Sequence, residues 1–111
     1  MKIEDIAIEF TEKAMNFIKG KMDKESYGLL VSYNEVKNWC GSAGEWISVS
    51  ITDISSRDPE MYLKTKVQNI AVLFQKDAFF LVSGFPKLTI GLSHYSFGDL
   101  LALKELEPSA N

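Results

Sequence analysis

The sequence predicts an α+β domain, mainly β, with one helix near its start. Three observations predict it. Residues 11–19 read as a capped amphipathic helix, three separate stretches alternate apolar and polar residues with a period of two, and Ile70-Ala71-Val72-Leu73-Phe74 is apolar throughout. Such an unbroken run fits a strand covered on both faces.

The elements follow in order. Ile6, Ile8 and Phe10 alternate with Ala7 and Glu9 as a short first strand. Thr11 offers an N-cap, and Glu12 suits the positive end of a helix dipole. The capping box is incomplete, because Ala14 stands three residues after Thr11. Ala14, Phe17 and Ile18 share one face of a helix expected to run to about Lys19, with Gly20 as its C′ stop. Tyr27, Leu29, Val31 and Tyr33 alternate, as do Ile47, Val49 and Ile51. Between these strands Trp39-Cys40-Gly41-Ser42-Ala43-Gly44-Glu45-Trp46 reads as a small-residue loop bracketed by two tryptophans. Arg57-Asp58-Pro59-Glu60 is a turn, because Pro59 cannot donate to a ladder and restricts Asp58. Residues 78–82 fit a helix or a strand equally well. Leu88, Ile90 and Leu92 form the inner face of the next strand. Ser96-Phe97-Gly98-Asp99 is its turn, and Leu100 to Leu106 returns. No repeat, linker or low-complexity segment divides the chain, so residues 1–111 are expected to form one domain.

Composition narrows the function. A net charge of −3, with basic residues scattered singly apart from Lys19, Lys21 and Lys24, argues against nucleic acid as the main partner. No apolar stretch approaches a membrane span, and acids interrupt Met1-Lys2-Ile3-Glu4-Asp5 where a signal peptide would be apolar. A single cysteine excludes an internal disulfide and fits a reducing compartment, so a cytoplasmic protein is expected. Phosphate-binding Gly loops, zinc spacings and paired catalytic carboxylates in a recognisable motif are absent from the sequence.

The order of these features resembles the HesB-like, or A-type iron–sulfur carrier, family across most of the chain. Ile8-Glu9-Phe10-Thr11-Glu12-Lys13-Ala14 is similar to its strand–Thr–x–Lys–Ala–helix opening. Cys40-Gly41-Ser42 before Trp46-Ile47-Ser48-Val49 resembles its first cysteine in a Gly-rich loop ahead of an aromatic residue and a strand. Asp77 to Gly84, then Leu88-Thr89-Ile90, resemble its short helical turn, glycine and following strand, and Glu107-Pro108-Ser109-Ala110-Asn111 its strand-ending stretch. The resemblance implies a pseudo-barrel of mostly antiparallel strands, a non-enzymatic role in iron–sulfur cluster biosynthesis, and an iron–sulfur cluster or iron as cargo. It also implies a homodimer, or iron–sulfur assembly and acceptor proteins, as partners. Two departures bear on that role. The Cys-Gly-Cys that cluster-carrying members place near the C-terminus does not occur in these 111 residues, and Trp39 stands where a glycine usually precedes the first cysteine.

Cys40 is the expected metal and cluster ligand, one per subunit. Clusters need several thiolates, with occasional histidine replacement, so one cysteine requires a second subunit, a partner or a small thiol. The competing reading makes Cys40 a small residue filling a turn. His94 is the expected additional cofactor ligand, being the only imidazole. Its place after Leu88, Ile90 and Leu92 equally suits a hydrogen-bonded residue of the core or rim. A Cys40–His94–Asp99 triad can be written, but no oxyanion motif accompanies it. The acids Glu4, Asp5, Glu9 and Glu12 read as a solvated face. Phe79, Phe80, Phe85 and Phe97 read mostly as core. A domain that kept the fold without a cluster, serving as a protein-interaction or structural module, is the alternative function.

Overall fold

A computed structural model describes residues 6–23, 25–37, 43–96 and 98–106. The order is β1 (Ala7–Phe10), α1 (Glu12–Lys21), β2 (Tyr27–Lys37), β3 (Ala43–Asp53), β4 (Tyr62–Val67), β5 (Ile70–Gln75), α2 (Lys76–Val82), β6 (Lys87–Tyr95), β7 (Gly98–Leu103) and a 3-10 turn, Lys104–Leu106. The protein is thus α+β and mainly β. One sheet has the order β1-β6-β7 and the other β3-β2-β5-β4. Both are mixed: β1 with β6 and β2 with β5 run parallel, while the hairpins β2–β3, β4–β5 and β6–β7 are antiparallel. The parallel pairs join strands separated by long stretches of chain, as parallel pairing requires.

α1 begins as its residues dictate. The Thr11 hydroxyl accepts from the Ala14 amide at 3.1 Å, and Glu12 lies in the first turn. The end differs from expectation. Gly20 lies inside the helix, which closes at Met22, whose N–H donates to the Ile18 carbonyl at 2.9 Å. Gly20 meets no heavy atom within 4 Å of a modest added Cβ and has no left-handed backbone, so nothing there forces a stop. Ala14 and Ile18 are fully buried, whereas Phe17, expected to join them, is only half-buried.

The inner faces of the sheets meet in one cluster. Leu29, Val31, Val49, Val72 and Phe74 come from the four-stranded sheet, Leu88, Ile90, Leu101 and Leu103 from the other, and Ala14 and Ile18 from α1. The register explains the alternation: Val31 pairs with Val49 on one side and Phe74 on the other, and Leu29 with Ile51 and Val72. As the apolar run implied, β5 is covered on both faces. Leu73 is buried on the face opposite Phe74, beside its register partner Leu30. Gly28 lies on that outer face, where a Cβ would come within 2.6 Å of the Ile54 Cδ1 and 2.8 Å of the Ala71 carbonyl.

Three elements depart from the sequence reading. Residues 78–82, which fitted helix or strand, belong to a second helix, so the described residues hold two helices where one was expected. Ala78, Phe79 and Val82 share its buried face, and Phe79 meets Phe74 edge-on at 6.1 Å. Neighbouring residues on a helix point about 100° apart, so Phe80 is turned outward and is 80% exposed, contrary to a core role. β4 was not anticipated, although Leu63, Thr65 and Val67 alternate with Lys64 and Lys66. It joins β5 through Gln68 and Asn69, both at positive φ (51° and 68°), as a two-residue hairpin turn demands. The return strand β7 starts earlier than expected, at Gly98, and stops at Leu103. Beyond it the Glu105 carboxylate accepts from the Thr89 amide at 2.6 Å and the Thr89 hydroxyl at 2.9 Å, substituting for ladder partners that β7 no longer supplies.

Candidate functional site

β2 and β3 form a long antiparallel hairpin whose register continues from Tyr27↔Asp53 to Lys37↔Ala43. Residues 38–42 connect its two strands in the chain. Cys40 and Trp39 belong to that connection and lie outside the described residues. The expected loop is shorter than the sequence reading had it. Ala43, Gly44, Glu45 and Trp46 belong to β3, with Gly44 opposite Val36 and Trp46 opposite Asn34. The ladder reaches further because β2 extends to Lys37 and offers a hydrogen-bonding partner for each of them; β3 has the other side as an edge. Asn34 ties the hairpin across its strands, its Nδ2 donating to the Ser48 hydroxyl at 2.9 Å. The Gln75 side chain accepts from the Tyr33 amide at 2.8 Å, beyond the point where β5 stops pairing with β2.

His94 is placed by a second hairpin. In β6–β7 the pair Tyr95↔Gly98 leaves two residues between the strands, so His94 stands directly opposite Asp99. The His94 Nδ1 and the Asp99 Oδ1 are in hydrogen-bond contact, with the two side chains 67% and 40% exposed. Of the two readings of His94, it is a rim residue rather than a core one. A carboxylate on Nδ1 fixes ring orientation and leaves Nε2 as the atom through which the imidazole would bind anything else, an arrangement common behind metal-ligating histidines. Asp99, expected in the turn, instead stands on β7. The pairing follows from the two-residue connection seen in the structure, which sets positions 94 and 99 opposite one another.

Among the described residues, no three His, Cys, Asp or Glu side chains converge as a metal-binding group. The acidic start is a solvated face where it is described: Glu9 is exposed and pairs with Lys87 at 3.1 Å. Glu4 and Asp5 lie outside the described residues, as does Phe97. No helix among the described residues is long and apolar enough to cross a membrane.

No family model and no curated protein matches this sequence. Among solved structures, the fold is similar to that of SufA from Escherichia coli, a protein involved in biosynthesis of iron–sulfur clusters. The TM-score is 0.54 at 10% sequence identity, covering 93% of this chain and 83% of SufA. At that identity the likeness is one of fold: the chain has a fold similar to that of SufA, in agreement with the strand and helix order that the HesB-like resemblance implied.

Proposed function

We propose that this protein is a divergent, non-enzymatic relative of the A-type iron–sulfur carriers, forming one domain over residues 1–111 and working in the cytoplasm. Its cargo is iron or an iron–sulfur cluster, and Cys40 is the thiolate that each subunit contributes. The observation that supports this reading is the fold similarity to SufA over 93% of the chain. Within that fold the single thiol belongs to the connection of the longest hairpin. A cluster shared by a homodimer, or passed to an assembly or acceptor protein, overcomes the shortage of ligands in one chain. His94, oriented by Asp99, is the additional protein donor through Nε2.

Anaerobic reconstitution with ferrous iron and sulfide tests this reading, with visible absorption and iron content measured for wild type, Cys40→Ala and His94→Ala. Wild type should gain cluster absorption, Cys40→Ala should fall to background, and His94→Ala should retain less iron than wild type. Unchanged iron in His94→Ala removes that residue from the site. A wild type that takes up no iron overturns the carrier reading. The alternative, an interaction module that kept the fold without a cluster, draws on one observation: Phe80 is 80% exposed and Leu81 46%, beside Tyr33. Large apolar side chains grouped on a surface suit a protein contact.

A further inference from the structure

The two sheets meet without hydrogen bonding where β3 and β7 lie side by side, since each is an edge strand of its own sheet. Beside this seam is a cleft of about 320 Å³, walled by Phe17 of α1, Val49 and Ile51 of β3, and Leu100 and Leu101 of β7. Lys21 is the charged side chain of this lining among the described residues, and its ammonium sits 5.7 Å from the centre of the Phe17 ring. Tyr27 also lines the cleft and separates it from the adjoining groove that holds the acids following the helix, Asp23 and Glu25. Leu100 is 46% exposed and Phe17 only half-buried, so the core leaves this apolar surface unfilled.

We propose that the cleft binds a small amphiphilic carboxylate, its hydrocarbon body between Val49, Ile51, Leu100 and Leu101 and its carboxylate beside the Lys21 ammonium. Three features select that class. An apolar lining takes a hydrocarbon, because burying it there removes apolar surface from water. Lys21, the cation on the lining among the described residues, attracts a negative charge. The volume, about 320 Å³, suits a small molecule with a short hydrocarbon body, for which octanoate is the probe. The site is independent of the iron–sulfur reading and uses neither Cys40 nor His94.

Octanoate and 1-octanol are the probes, titrated into the full chain by calorimetry and amide chemical-shift mapping. Wild type should bind octanoate saturably, one per chain, with shifts at Phe17, Val49, Ile51 and Leu101. Lys21→Gln should weaken octanoate about two- to fivefold, the size of an exposed ion pair, and leave octanol unchanged. Leu100→Glu, at an exposed position, should weaken octanoate far more than octanol by adding a like charge. Ser50→Trp, also exposed and on the lining, should block both ligands by filling the space. Amide spectra unchanged away from the cleft establish that each variant folds. Non-saturable binding, shifts centred on Phe80 and Leu81, equal losses of octanoate and octanol in Lys21→Gln, or undiminished binding in both Leu100→Glu and Ser50→Trp would each overturn the proposal.

Discussion

The hairpins β2–β3 and β6–β7 differ in what they place: β6–β7 sets His94 on its ladder, whereas Cys40 follows β2 in the chain and lies outside the described residues. His94 occupies a ladder position, so the register that pairs Tyr95 with Gly98 also delivers Asp99 to its Nδ1. The β2–β3 ladder is described as far as Lys37↔Ala43. A donor on a strand inherits its neighbours from the pairing.

The largest effects should come from the residues that fix each register rather than from the donors. Ile90, fully buried in β6 and paired with Phe10 and Leu103, should cost about 2–5 kcal/mol when changed to Ala, measured by urea unfolding. A loss below about 1 kcal/mol would mean that β6 does not anchor the three-stranded sheet. Gly28→Ala should cost about 1–3 kcal/mol, because its Cβ would press on the Ala71 carbonyl, which is backbone and cannot rotate away. A neutral result would show that β2 and β5 have slack at this point.

Smaller effects separate the hairpins at their ends. Gly98 follows the β6–β7 connection at φ 137°, with open space where a Cβ would stand. Gly98→Ala should therefore cost about 1 kcal/mol through backbone strain alone, and it should loosen the His94–Asp99 pairing seen by NMR. Asp99→Asn is the mildest: with both side chains largely in water, stability should change by no more than about 1 kcal/mol. Its readout is the His94 ring, whose Nδ1–Nε2 tautomer balance in nitrogen NMR should shift once the carboxylate is gone. An unaltered ring spectrum would mean that Asp99 does not position His94, and the contrast between the two hairpins would disappear.

Much of the fold was legible because it rests on local chemistry. Thr11 caps α1 whatever the surroundings, and the alternation at Leu29, Val31, Val49, Ile51, Leu88 and Ile90 marks one buried face regardless of partner. Phe80 was misread because an aromatic beside Phe79 looks like core until a helix sends them in different directions. β4 carried its own signal in Leu63, Thr65 and Val67, which the neighbouring lysines obscured. Gly20 was misread as a stop because glycine is a common C′ residue, yet the hydrogen bond from Met22 to Ile18 carries the helix past it.

The site divides in the same way. By itself the sequence determined which groups can ligate, because the thiol and the imidazole each occur once. Only the tertiary structure decided that β1 lies parallel to β6 and β2 parallel to β5. It also decided that β3 and β7 meet as unpaired edges beside an apolar cleft, and that Glu105 replaces the ladder at Thr89. These contacts join residues far apart in sequence. Local propensity cannot encode them, since each exists only once the hydrophobic faces have been buried together and the remaining polar groups must find partners.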